Sequence, residues 1–243
     1  WSKDIASIPV SAPVCDGELV FVTTNDNKIY ALNADDGKLQ WVVSAILRNT
    51  AILGAADPII YQDFVIASFS SGEIYKINKK TGETLWSQDL NVSRANSSDF
   101  YLNDIDATSI IKDETVYSLG NGGLMMAIDV KSGNYKWRKE IAGITDFWIA
   151  DDFIYVINND NKLLAIYRKT GGIKWIVQLP HFKKDKKPQT KIIYNGLVMA
   201  GDKLVISNVN GDLLVASPFD GKVEKTFKSG ERIHHSPIIV GGK

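Results

Sequence analysis

Side chains that could bind a metal ion or attack a substrate are few in this 243-residue chain. The histidines are His181, His234 and His235, and because the last two are adjacent they would face opposite sides of a strand and could not bind one ion. Cys15 is the single cysteine, which excludes an internal disulfide, and its position beside a turn predicts a small core residue. No glycine-rich phosphate loop, nucleophile elbow or zinc-protease motif is present. We therefore predict no catalytic residue, no metal site and no cofactor.

The charge of the chain is balanced. It carries 28 basic and 28 acidic residues, whereas a nucleic-acid partner calls for a basic face. No apolar run approaches the ~18 residues that a membrane-spanning helix needs. The one basic run, 183–187, is best explained as a solvated loop, with contact to anionic lipid head groups as the alternative.

Two longer segments combine apolar and charged residues in the way that protein-binding patches do. The first spans 44–54 and the second 91–108. Their candidate partner-binding residues are Ile46, Leu47 and Arg48 in the first segment and Tyr101, Asp104 and Asp106 in the second. In the alternative interpretation, the apolar residues pack beneath their own loops, and Arg48 pairs with the acidic residues inside the chain.

A repeated phrase indicates which elements position these segments. Five stretches share a glycine in a turn, and in the first four a tryptophan follows four residues later: 30–41, 75–86, 126–137, 164–175 and 215–225. The glycines are Gly37, Gly82, Gly133, Gly171 and Gly221, so the repeat recurs every 38 to 51 residues. We expect Trp41, Trp86, Trp137 and Trp175 to be structural staples, each packing on the next repeat with its indole N–H bound to a backbone carbonyl.

This period and the alternation of apolar and polar residues predict an all-β chain, a β-propeller of four-stranded antiparallel blades. In the first repeat the strands are predicted at 11–14, 18–24, 28–33 and 38–44. We expect residues 1–243 to form a single propeller domain, truncated at both ends. It would hold about five complete blades and a partial blade at each end, since 1–5 resembles 86–90 and 236–243 resembles 11–18.

The meander topology places the two candidate segments together. Strands run alternately up and down in a blade, so the turns between second and third strands share a face with the links between blades. Both segments are such links, and they follow neighbouring blades. We therefore expect them to lie side by side at one rim.

The repeats resemble those of pyrroloquinoline-quinone-type propellers, a group that holds both dehydrogenases and non-enzymes. Within that group, four stretches resemble in the same order the BamB family, lipoproteins of the bacterial outer-membrane β-barrel assembly machinery. These stretches are 45–48, 101–108, 145–147 and 158–165.

The resemblance to the BamB family implies an eight-bladed propeller, lipid-anchored on the periplasmic face of the outer membrane. It implies a non-enzymatic scaffold that binds the POTRA domains of the barrel subunit BamA and assists insertion of outer-membrane barrels. A second hypothesis is that exposed edges of outer strands transiently receive strands of nascent barrels by augmentation. By the same resemblance, Leu47, Arg48, Asp104 and Asp106 match docking residues, whereas Ala45 stands where the family can carry a larger apolar residue.

Two other interpretations remain open. A quinoprotein dehydrogenase would hold its quinone and Ca²⁺ on the propeller axis and usually carries a vicinal disulfide, which a chain with one cysteine cannot form. A propeller scaffold for another partner would share the composition but would not account for the loop resemblance.

Overall fold

All regular secondary structure in the described part of the chain is β-strand. The computed structural model describes residues 1–46, 56–91, 105–182 and 190–239. Within these ranges, no helix has the length and apolar character needed to cross a membrane.

In these described ranges, twenty strands form five four-stranded sheets. The first is β1 (Val14–Cys15), β2 (Leu19–Thr24), β3 (Lys28–Asn33) and β4 (Leu39–Ser44); the second is β5 (Ile59–Tyr61), β6 (Phe64–Ser68), β7 (Glu73–Asn78) and β8 (Thr84–Asp89). The third is β9 (Ile110–Lys112), β10 (Thr115–Leu119), β11 (Leu124–Asp129) and β12 (Tyr135–Glu140); the fourth is β13 (Trp148–Ala150), β14 (Phe153–Ile157), β15 (Lys162–Tyr167) and β16 (Ile173–Gln178). The fifth is β17 (Tyr194–Ala200), β18 (Lys203–Asn208), β19 (Asp212–Ala216) and β20 (Val223–Lys228). Each sheet is an antiparallel meander in chain order, as predicted.

The first sheet shows where sequence and structure differ. Its second, third and fourth strands begin within one residue of the predicted positions. Its inner strand, predicted at 11–14, is instead the two-residue pair Val14–Cys15. Pro13 has no N–H to donate to a ladder, and the preceding chain meets β2 in a shifted register, since Pro9 pairs with Thr24 and Val10 N–H donates to the carbonyl of Thr23 (3.1 Å).

The chain divides into two compact units, residues 1–144 and 145–243. The first unit holds the first three sheets, and the second unit holds the fourth and fifth. The assignment of 1–243 to a single domain stays a prediction.

The core of the first unit lies on both faces of the second sheet, between it and the first and third sheets. Strand β6 is buried at every position. Val65 and Ala67 pack in a cluster with the first sheet, whereas Phe64 and Ile66 pack in a cluster with the third. Because successive side chains of a strand point to opposite faces of its sheet, β6 contributes to both hydrophobic clusters. In the second unit, side chains of the fourth and fifth sheets share one further cluster.

Outer-strand tryptophans connect successive sheets within each unit. Trp41 donates Nε1–H to the carbonyl of Lys79 (2.9 Å), Trp86 to that of Val130 (2.9 Å), and Trp175 to that of Pro218 (3.2 Å). Trp1 makes the same type of bond to Ala34 (2.7 Å). Trp137 is buried and packs near Tyr117 of its own sheet, with ring centroids 6.2 Å apart.

Four indoles that donate to a backbone carbonyl each lie over a turn glycine: Trp1 over Gly37, Trp41 over Gly82, Trp86 over Gly133 and Trp175 over Gly221. A Cβ added to Gly82 would lie 2.8 Å from Trp41 Cγ, and one added to Gly133 would lie 2.6 Å from Trp86 Cγ. Both glycines also have positive φ, +74° and +75°. The glycine in the repeated phrase thus serves both the turn and the close approach of the ring.

An ion pair reinforces the contact between the first two sheets. Lys79 Nζ lies 2.9 Å from Asp16 Oδ2, and both side chains are largely buried. Partial burial raises the pKa of Asp16, but hydrogen bonds from the backbone of Leu19 and from Lys79 outweigh it and lower the pKa to about 2.

We expect Asp16→Asn to lower the free energy of unfolding at pH 7 by about 1 kcal/mol. Because the folded pKa of Asp16 lies below its ordinary value of 3.8, this contribution is present above that value and is lost as pH falls toward about 2. Urea unfolding between pH 7 and pH 2 measures it, with Asp152→Asn as the control, since Asp152 is exposed and its contact to Lys169 is 3.6 Å. Equal losses in the two variants would contradict the assignment.

Candidate partner-binding rim

The predicted partner-binding residues fall partly within the described structure. Ile46 and Asp106 are described, whereas Leu47, Arg48, Tyr101 and Asp104 lie outside the described residues. The ends of both candidate segments can therefore be located. The basic run 183–187 also lies outside them.

Ile46 follows β4 directly and presents its side chain to solvent with its backbone held on both sides. Its side chain is 59% exposed. Its N–H donates to Glu73 Oε2 (3.1 Å), and its carbonyl accepts from Asn27 Nδ2 (3.0 Å). The backbone of Ile46 is thus held in place, while its apolar side chain is not part of the core.

Asn27 organises this point of the rim. It is buried at the turn between β2 and β3 in a left-handed conformation (φ +55°), which asparagine tolerates better than most residues. Its carbonyl accepts from Ala45 N–H (2.8 Å), and its Oδ1 accepts from the N–H and hydroxyl of Ser70 (3.1 and 2.7 Å). One amide side chain therefore fixes the start of the link and the neighbouring turn of the second sheet.

Glu73 completes the support from the second sheet. Besides Ile46, its Oε2 accepts from Ser71 Oγ (3.0 Å), and its Oε1 accepts from Tyr75 OH (3.4 Å). Burial and the nearby Glu73 carboxylate raise the pKa of Tyr75, so this phenol stays protonated and donating.

The second segment is bonded to the chain just beyond the first. The N–H of Ala56, two residues past the first segment, donates to the carbonyl of Ile105 (3.0 Å). Ala56 and Ile105 are both buried in the cluster shared by the second and third sheets, while Asp106 is half-buried. That the two segments lie side by side stays a prediction.

The described apolar residues of the two segments differ in exposure. Ile105 and Ala107 are fully buried, and Ala45 is also buried. Ile46, in contrast, faces solvent. The choice between a partner-binding patch and loops that pack on themselves stays open for the residues outside the described ranges.

The role of Asn27 was missed from the sequence, although a signal is present. Asn161 occupies the corresponding turn in the fourth sheet, also at positive φ (+58°). Its carbonyl accepts from Leu179 N–H (3.0 Å), and its Nδ2 donates to the carbonyl of Ile192 (2.8 Å). The shared pair Asn-Lys at 27–28 and 161–162 marks both turns.

Cys15 is not a core residue, which corrects the sequence interpretation. Its side chain is exposed, because the inner strand has only two residues, and Sγ accepts from the N–H of Gly17 (3.2 Å). Among the described residues, no group of three or more His, Cys, Asp or Glu side chains is placed to hold a metal ion.

Comparison with known proteins places these features in a family. The family model described as "Outer membrane protein assembly factor BamB" matches residues 1–177. The chain belongs to the BamB family. The assembly factor BamB of Yersinia pestis is 27% identical over 147 residues, which cover 60% of this chain and 37% of that protein. The chain thus spans little more than a third of the length of this BamB relative.

Solved structures confirm the predicted all-β propeller class. The crystal structure of BamB from Moraxella catarrhalis superposes with a TM-score of 0.85 at 19% identity, covering 98% of this chain and 69% of that one. A europium-containing methanol dehydrogenase gives a TM-score of 0.67 at 15% identity, covering 94% and 53%. At these identities the likeness is one of fold, and BamB shares that fold with quinoprotein enzymes.

Proposed function

We propose that this chain belongs to a non-enzymatic scaffold that assists insertion of β-barrel proteins into the bacterial outer membrane. In this proposal the full-length protein is lipid-anchored at the periplasmic face and binds the POTRA domains of the barrel subunit BamA. Membership of the BamB family supports the assembly role. The rim at Ile46 supports a protein partner rather than a small substrate.

The single observation that carries the docking site is the exposure of Ile46 on a fixed backbone. Because Glu73 and Asn27 hold the N–H and carbonyl of Ile46, the backbone that carries this 59% exposed apolar side chain does not have to be ordered when a partner binds. Pre-organised apolar anchors of this kind supply much of the affinity of protein interfaces.

Charged residues around this anchor would set the orientation of the partner. We propose Arg48, Asp104 and Asp106 as the charges that orient the POTRA surface, with Leu47 and Tyr101 as further anchors beside Ile46. Opposite charges on one rim discriminate between partner surfaces more than they add affinity. The hydrogen bond between Ala56 and Ile105 supports the placement of the two groups beside each other.

A catalytic alternative has less support. The dehydrogenase likeness covers the fold alone. The chain has one cysteine and therefore no vicinal pair, and the described residues bring no metal-ligating cluster together.

Calorimetric titration of the full-length protein with isolated POTRA domains tests this proposal. We expect saturable binding by the wild type, and Ile46→Lys, Arg48→Glu or Asp106→Lys to weaken it at least about tenfold. Ile176→Lys is the matched control, because Ile176 is 50% exposed on outer strand β16 of the other unit.

Circular dichroism of each variant first verifies that the fold is retained. Wild-type protein that does not bind would exclude POTRA docking. Binding that Ile176→Lys weakens and Ile46→Lys does not would move the site away from the rim.

A further inference from the structure

Strand β4 differs from the other outer strands in its charge. The outer strand is the fourth strand of each sheet, namely β4, β8, β12, β16 or β20. Within the described sheets, no further strand lies beside the outer edge of any of them. The other four carry charged residues: Asp89 in β8; Lys136, Arg138, Lys139 and Glu140 in β12; Lys174 in β16; and Glu224, Lys225 and Lys228 in β20. Strand β4 has none. Charged residues on an edge strand discourage pairing with another chain, so β4 lacks the usual protection.

The backbone of β4 is also oriented for pairing. In its ladder with β3, Trp41 lies opposite Ala31 and Val43 opposite Ile29. Ala45 N–H donates to the carbonyl of Asn27, and in an antiparallel ladder alternate residues point to the same neighbour. The N–H and C=O groups of Val42 and Ser44 therefore point toward the open edge.

Side chains along β4 favour an apolar occupant. Leu39 is 47% exposed and Val42 is 44% exposed, while Trp41 and Val43 pack toward the second sheet. The strand then runs without interruption into Ile46, the anchor of the partner-binding rim. The open edge is thus continuous with the proposed docking site.

We propose that the outer edge of β4 receives an extended strand of an unfolded outer-membrane barrel protein by backbone pairing. Strands of such barrels alternate apolar and polar residues and carry few charges on the apolar face. This alternation matches an edge whose exposed side chains are uncharged, with apolar Leu39 and Val42 beside polar Gln40 and Ser44. The inference rests on the proposed function and specifies where a client strand would bind, beside the POTRA-binding rim.

A synthetic ten-residue peptide that alternates Val, Tyr or Leu with Thr, Ser or Gln provides the probe. Its binding to the full-length protein is measured by fluorescence anisotropy. We expect Val42→Pro, which removes an N–H that points outward and leaves the bonds to β3, to weaken binding at least about tenfold. Ile176→Pro makes the same change at the matching position of β16, which carries Lys174, and should bind like the wild type.

A modified peptide tests the pairing on unaltered protein. Two further peptides carry N-methyl groups on alternate backbone nitrogens, one on the odd-numbered residues and the other on the even-numbered residues. The peptide whose methylated nitrogens face β4 should bind at least about tenfold more weakly, and the other should bind like the unmodified peptide. Equal binding by wild type and Val42→Pro, or by all three peptides, would overturn the proposal.

POTRA titrations of the same variants separate this inference from the proposed function. Val42→Pro should leave POTRA affinity unchanged, whereas Ile46→Lys should reduce it. Loss of POTRA binding in Val42→Pro with retained peptide binding would show that the edge serves the POTRA domains and would overturn the client assignment. Failure of Ile46→Lys to alter POTRA affinity would contradict the proposed function and leave the peptide result standing.

Discussion

Replacing Trp41 by alanine is expected to lower the free energy of unfolding by about 3–5 kcal/mol. The indole is buried in the cluster between the first and second sheets, with its ring centroid 5.7 Å from that of Phe21. It also covers Gly82 and donates to the carbonyl of Lys79 (2.9 Å). The substitution would remove apolar contacts and leave a cavity between two sheets. Denaturant unfolding followed by far-UV circular dichroism measures the loss.

Trp41→Phe separates packing from hydrogen bonding. Phenylalanine retains most of the apolar area but has no N–H, so we expect a loss of about 1–2 kcal/mol. If both variants are equally unstable, the hydrogen bond to Lys79 outweighs packing. A loss below about 1 kcal/mol for Trp41→Ala would contradict the role of this residue as a staple between sheets.

Gly133→Ala is expected to lower the free energy of unfolding by about 3 kcal/mol. Part of the loss is the left-handed backbone at φ +75°, which costs alanine about 1–2 kcal/mol. The remainder arises because the new Cβ would lie 2.6 Å from Trp86 Cγ, so the ring must move away from the carbonyl of Val130. A loss of this size should lower the midpoint of thermal unfolding by about 6–12 °C.

Gly201→Ala isolates the backbone contribution. Gly201 also has positive φ (+61°), but nothing lies within 4 Å of its added Cβ. We therefore expect it to lose only about 1–2 kcal/mol. The same loss in both variants would mean that the contact with Trp86 adds nothing to the cost at Gly133.

Local sequence was sufficient to locate three of the four strands of the first sheet. The turn at Asp36-Gly37 and the alternation on either side of it place β3 and β4 within one residue of their observed bounds. Turn residues and period-two alternation are local signals, so they can be interpreted without knowing what packs against them. The inner strand was less predictable, because Pro13 and the bond from Val10 to Thr23 shift it by three residues at its start.

Contacts between distant residues explain what local sequence did not reveal. In the sequence, Asn27 looks like an ordinary turn residue. Its hydrogen bonds to Ser70 and to the carbonyl of Ile46 join segments that are distant in sequence. The exposure of Cys15 likewise depends on which face of a two-residue strand is covered. Meander topology predicts that the two links are neighbours, whereas the burial of Ile105 and the exposure of Ile46 required the packed structure.

Site-specific photocrosslinking tests the proposed docking rim most directly. A photoreactive amino acid is placed at position 46 or, as the control, at position 176 of the full-length protein, and each protein is mixed with the POTRA domains and irradiated. We expect a POTRA crosslink from position 46, where Asn27 and Glu73 fix an exposed side chain, and none from position 176. Crosslinking from position 176 without crosslinking from position 46 would contradict the account.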